Sequence, residues 1–303
     1  MATAQICLLP ERGVIEVGGP EARAFLQGLI TNNMDLVSAT RAISAALLTP
    51  QGKYLFDFLI VQQESAFLLD CETERLGDLV KRLNFYKLRA KVTVRDASAE
   101  FSVAAMPGPE GVSEFGLSAQ PGAARPYAGG ALFTDPRLAA MGVRIILPPG
   151  ELATLIGDRQ LGAEAYHRLR LEHGVAEGKN DITIDKYFLL EANFEELHGV
   201  DFKKGCYVGQ ELVSRMKHRG VVRKRILPVQ VEGPCPPPGT PILAGGREVG
   251  VLHSSLGPQA LAYLRLAALT PGSPPLDCAG ARLTPIAPEW LPLTFDEDAD
   301  AQD

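Results

Sequence analysis

Nine residues, GPCPPPGTP from Gly233 to Pro241, limit the folds open to this chain more than any other stretch. Proline lacks an amide hydrogen and fixes φ, so neither a helix interior nor a central strand can run through this segment. The chain must turn here. Short apolar runs lie around it: Leu227 to Val231 before, Val249 to His253 and Ala260 to Leu266 after. Short strands at even spacing between turn signals predict a small β-barrel. The reading places a boundary near Ile226, with an N-terminal domain over residues 1–225 and the barrel over 226–295. The remainder, 296–303, reads DEDADAQD and is expected to be a disordered acidic tail.

The first domain mixes strand and helix signals. Gly13 to Val17 reads as a strand, and GPEARAFLQGLITNNM as a helix with Phe25, Leu26, Leu29 and Ile30 on one face. TPQGKYLFDFLIVQQESAFLLDC predicts two strands joined at Gln63 to Ser65, and TERLGDLVKRLNFY a helix burying Leu76, Leu79, Val80 and Leu83. KVTVRD alternates as a strand does. Met106 to Gly130, rich in Gly, Pro, Ala and Ser, is expected to be a loop or a mobile insertion. Arg144 to Leu147 reads as a strand, and Glu151 to Ile156 and Ala163 to His173 as helices. This order is α+β rather than doubly wound. No GxGxxG or Walker motif supports nucleotide binding of those kinds.

With 303 residues and a net charge of −6, the chain is not a nucleic-acid or membrane binder by bulk charge, so any basic patch is local. Its start, MATAQICLLPERG, resembles neither a signal nor a transit peptide, and no apolar run approaches the ~18 residues of a membrane span. Five cysteines, at 7, 71, 206, 235 and 278, match no zinc or CxxC spacing, so no metal site is expected. They read as reduced thiols of a cytoplasmic protein.

Cys206 is different. It lies in FKKGCYVGQELVSRMKHRG, between glycines, ahead of a helix-like run. From Asp201 to Arg225 eight Lys or Arg face two acids, a local charge of +6. Positive potential and a helix N-terminus both favour thiolate. The alternative is a small residue packed in a turn. The basic run is either a solvated face or an anion site. Tyr207 is the one aromatic between Phe202 and Arg225, too few for stacking on nucleic acid.

KGCYVGQE, Lys204 to Glu211, resembles the signature of the YgfZ family of folate-binding proteins, which support iron–sulfur cluster assembly and repair. FLQGLITNNM and LLTPQGKYLFDF resemble further blocks of that family. RLRLEHGVAEG resembles a helix shared with the glycine-cleavage T-protein, an aminomethyltransferase. The resemblance implies an aminomethyltransferase-type folate-binding α+β core followed by a small β-barrel. It also implies tetrahydrofolate, with an anionic polyglutamate tail, as ligand. Glu172 matches the T-protein's pterin carboxylate, and Lys204, Tyr207, Gln210 and Arg223 are the further folate-binding candidates. Cys206 and Asp57 are the chemical candidates. The T-protein carries adjacent Asp residues where this chain has Asp57 and Phe58, which argues against full aminomethyl transfer.

Three functions follow as expectations. The first is a folate-binding accessory factor for cluster assembly, working with client or assembly proteins. The second is a one-carbon transferase using Asp57, and the third a folate-dependent partner in RNA modification.

Overall fold

The computed structural model describes residues 4–293. The acidic segment 296–303 lies outside the described residues. Two sheets and a barrel make up the molecule. The first sheet is five-stranded and antiparallel, in the order Ile43–Leu48, Tyr54–Gln63, Ala66–Glu72, Arg12–Gly18, Thr93–Asp96. Its central hairpin turns through Glu64, at φ 51°, where Gln63 pairs with Ala66. The Thr73–Lys87 helix lays Leu76, Leu79 and Leu83 on this sheet. Gly13 permits that approach, because a Cβ there would lie 2.7 Å from Leu76 Cδ1.

The second sheet is six-stranded: Gln160–Leu161, Ile6–Leu8, Ser102–Met106, Val143–Leu147, Gly130–Thr134, Ala124–Tyr127. Only its first pair is parallel among the described residues. The barrel is closed, with Ala281–Pro285 pairing back onto Lys224–Glu232. Its apolar interior is a core of its own, including Leu227, Ile242, Leu252 and Leu264. Among the described residues no helix is long and apolar enough to cross a membrane.

Two expectations need correction. The first helix spans only Ala22–Gln27 and stops at Gly28. Leu29 and Ile30 are still buried, but Ile30 bridges Leu47, because the chain there is already hydrogen-bonded to the neighbouring strand. The expected loop from Met106 to Gly130 contains a helix, Glu110–Glu114, and a strand, Ala124–Tyr127. That strand lies at the sheet edge, where Pro126 is tolerated, and joins its neighbour through Ala128 and Gly129, both at positive φ.

Candidate functional site

The helix ending at Gln27 leaves carbonyl groups without amide donors, as every helix end does. Lys204 fills that gap. Its buried ammonium donates to the carbonyls of Gln27 at 2.8 Å, Ile30 at 2.6 Å and Asn32 at 2.8 Å. Burial pushes the Lys204 pKa down to about 8, against the pull of Asp201 and Asp35. The same turn holds the preceding loop. Asp201 N–H donates to the Thr31 carbonyl at 3.1 Å, and Asn32 Nδ2 to the His198 carbonyl at 2.8 Å.

The other flank of Cys206 is fixed as firmly. Gly209, at φ 83°, packs against the Thr49–Gly52 turn, where a Cβ on Gly209 would fall 2.5 Å from the Thr49 oxygen. Tyr207 is buried with its hydroxyl unpaired, and burial pushes the phenol up. Between these anchors Gly205 and Cys206 are exposed. The three blocks FLQGLITNNM, TPQGK and KGCYVGQE therefore meet, and together they present one thiol. Cys206 is the exposed cysteine among the described residues; Cys235 is half-buried and Cys7, Cys71 and Cys278 are buried.

The expected helix begins at Gln210, which is half-buried and bonds back to the Tyr207 carbonyl at 3.3 Å. Tyr207, Val208 and Gly209 thus separate the thiol from the helix, which correspondingly weakens the dipole argument. The +6 window does not form one face either. Lys204 points inward, Lys217 pairs with Glu195, and Arg225 pairs with Glu196 at 2.7 Å. Arg223 is exposed just before the first barrel strand.

Asp57 is half-buried on the Tyr54–Gln63 strand. Its Oδ1 accepts from the Tyr54 hydroxyl at 2.5 Å and from Gly178 N–H at 3.2 Å. Burial raises its pKa, with Arg12 opposing. Beside it lies an ionic cluster that the sequence reading missed. Glu177 accepts from Arg12 at 3.2 Å, Arg137 at 2.9 Å and the Tyr166 hydroxyl at 2.6 Å. Arg12 also binds Asp70 at 2.6 Å, and Arg137 binds Asp135 at 2.7 Å. Arg170 binds Asp181 at 2.6 Å, and Asp181 accepts from Ser254 N–H of the barrel at 3.2 Å. Burial alone would raise Glu177; Arg12, Arg137, Arg144 and Arg170 override it and hold the carboxyl well below its usual range. The cluster ties both sheets to the barrel.

Glu172, by contrast, is exposed at the end of the Ala163–Glu172 helix and accepts from Gln259 Nε2 at 2.9 Å. The buried acid is Glu177, beyond the helix end.

A cleft of about 710 Å³ opens where the barrel meets the first domain. On its wall the rings of Tyr187 and Tyr263 stack at 3.9 Å and 18°. Lys53 Nζ sits 3.1 Å from the Phe188 ring centroid, and burial lowers its pKa. Lys179, Lys186, Lys224 and Arg265 add positive charge, against Glu191 and Glu248. Aromatic faces beside cations suit a planar, anionic ligand. Glu172, Lys204, Tyr207, Gln210, Arg223 and Asp57 do not line this cleft. Asp57 connects to it through Gly178, whose successors Lys179 and Asn180 do. Among the described residues no group of three or more His, Cys, Asp or Glu is placed to hold a metal ion.

Comparison with known proteins agrees with this architecture. Residues 223–293 match the family described as CAF17, C-terminal beta-barrel domain. The fold is that of the glycine cleavage system aminomethyltransferase T from Bartonella henselae. That structure superposes with a TM-score of 0.77 at 20% identity, covering 96% of this chain and 87% of its own. The mouse protein named iron-sulfur cluster assembly factor IBA57, mitochondrial, is 34% identical over 94% of this chain and 84% of its own length. The human protein of the same name is 36% identical over 84% and 76%. By that likeness along nearly its whole length, the chain belongs to the family of the iron–sulfur cluster assembly factor IBA57.

Proposed function

We propose that this protein is a tetrahydrofolate-binding accessory factor for iron–sulfur cluster assembly or repair, acting through Cys206. The observation that carries this reading is the exposed thiol on a loop whose flanks are locked by Lys204 and Gly209. The names of its relatives and the likeness of KGCYVGQE to the YgfZ signature support it. Clusters are usually held by four ligands. A single presented thiolate therefore serves as one ligand of a cluster in passage, with a client or assembly protein providing the others. A Cys206→Ala variant in cells is expected to lower the activity of several iron–sulfur enzymes while the protein accumulates normally. Unchanged activities would reject the cysteine-centred role.

The cleft residues fit folate. Tyr187 and Tyr263 offer a stacking face for the pterin, and Lys53, Lys224 and Arg265 offer charge for the glutamate tail. When bound, folate supplies one-carbon carrier chemistry. Asp57 is held by Tyr54 and Gly178, and buried Phe58 follows it, an arrangement that supports binding more than aminomethyl transfer. Tyr263→Ala is expected to weaken tetrahydrofolate binding about tenfold by calorimetry. The polyglutamate form should bind more tightly than the monoglutamate at low salt, with the gap closing as salt rises. Equal affinities of wild type and variant would place folate elsewhere.

A further inference from the structure

The C-terminal end of the Thr73–Lys87 helix carries a second feature, separate from the thiol and the cleft. Residues 79–92 contain five Lys or Arg and no acid. Leu79 and Leu83 point into the core, while Phe85 is 72% exposed and Leu88 is 87% exposed. Both are bulky apolar side chains standing in water, three residues apart, at the C-terminal end of the helix. Arg82, Lys87 and Arg89 flank them in sequence, with no ion-pair partner among the described residues. Lys81 pairs with Asp78 at 3.5 Å, and Glu21 accepts from the backbone N–H of Lys91, so the acids lie at the margins.

Leu88 is the informative residue. Its backbone is at φ 47°, ψ −109°, a conformation that glycine takes readily and a leucine does not. A leucine here accepts backbone strain and buries almost nothing in return. Its side chain therefore contributes little to the folded monomer.

We propose that the helix end bearing Phe85 and Leu88, with Arg82, Lys87 and Arg89 next to them in sequence, docks onto an anionic lipid bilayer. Insertion of a small apolar wedge together with basic residues at the headgroups is the two-signal pattern of reversible membrane attachment. A protein partner would have to supply a pocket matched to the wedge. A bilayer needs no matching shape, and the exposed cations Arg82 and Arg89 lie three residues before Phe85 and one after Leu88. Against a net charge of −6 this acid-free stretch is a local basic patch that a negative surface attracts.

Cosedimentation of the full chain with vesicles tests the proposal. The expected result is binding to phosphatidylcholine–phosphatidylserine vesicles in equal parts, absent with phosphatidylcholine alone, and falling as salt rises. Phe85→Ser with Leu88→Gly should weaken binding at least about tenfold, and Leu88→Gly alone should leave the melting temperature no lower. Arg82→Glu with Arg89→Glu should abolish the preference for phosphatidylserine. Failure to bind the mixed vesicles at low salt would overturn the proposal and point to an acidic protein instead. Binding that survives the Phe85 and Leu88 changes would overturn it too.

Discussion

Glu177→Ala is expected to destabilise the protein by about 4 kcal/mol, read from the urea midpoint, because it leaves a buried charge cluster without its centre. Arg12, Arg137 and Tyr166 all donate to this carboxylate, and Arg144 lies 4.0 Å away. Without it the guanidinium groups repel one another in a site largely closed to water. The same carboxylate predicts a pH dependence. Its folded pKa lies well below its ordinary value, so the stability it contributes is full above the unfolded pKa of about 4.3 and is lost as pH falls from there toward the folded value. Asp135, held down by Arg137 against its burial, acts in the same direction. Glu177→Gln should therefore unfold along a flatter acid profile than wild type. If the Ala variant unfolds at the wild-type midpoint, the cluster does not hold the two sheets and the barrel together.

Lys204→Met should have the second largest effect, about 3 kcal/mol, because three carbonyls, those of Ile30 and Asn32 buried and that of Gln27 partly so, lose their donor while the apolar stem stays in place. The loss should be felt locally as well. Amide hydrogen exchange across 201–209 is expected to rise more than elsewhere, since the bonds to Lys204 tie this loop to the Gln27–Asn32 turn. The thiol remains in this variant, so reduced support of iron–sulfur enzymes would show that presentation of Cys206 matters, beyond its mere presence. A variant as stable as wild type with unchanged exchange would contradict the role given to Lys204.

Parts of this were legible in the residues. Leu76, Leu79 and Leu83 mark the Thr73–Lys87 helix, and the prolines before Pro241 mark the turn between the barrel strands Lys224–Glu232 and Pro241–Ala244. The prominence of KGCYVGQE led to the exposed thiol. Other parts were hidden for physical reasons. The Ile43–Leu48 strand is buried on both faces, so it shows no alternation. Arg12 finds Asp70 and Glu177 at separations of 58 and 165 residues, and no local spacing announces such a cluster. In the sequence Lys204 reads as part of a basic run and as a folate-binding candidate, and only the unpaired helix end at Gln27 explains why it turns inward. The cleft draws on Lys53, Tyr187 and Tyr263, which come together only when the barrel docks.

Presentation of Cys206 is most directly tested by blocking that sulfur in the folded protein. Brief treatment of native protein with iodoacetamide should modify Cys206 first, since Cys7, Cys71 and Cys278 are buried and Cys235 is half-covered. The singly alkylated protein is then assayed for its support of cluster assembly on a recipient apoprotein, alongside its melting temperature. The account predicts lost assembly at an unchanged melting temperature. Full assembly by protein carrying the modified sulfur would contradict it.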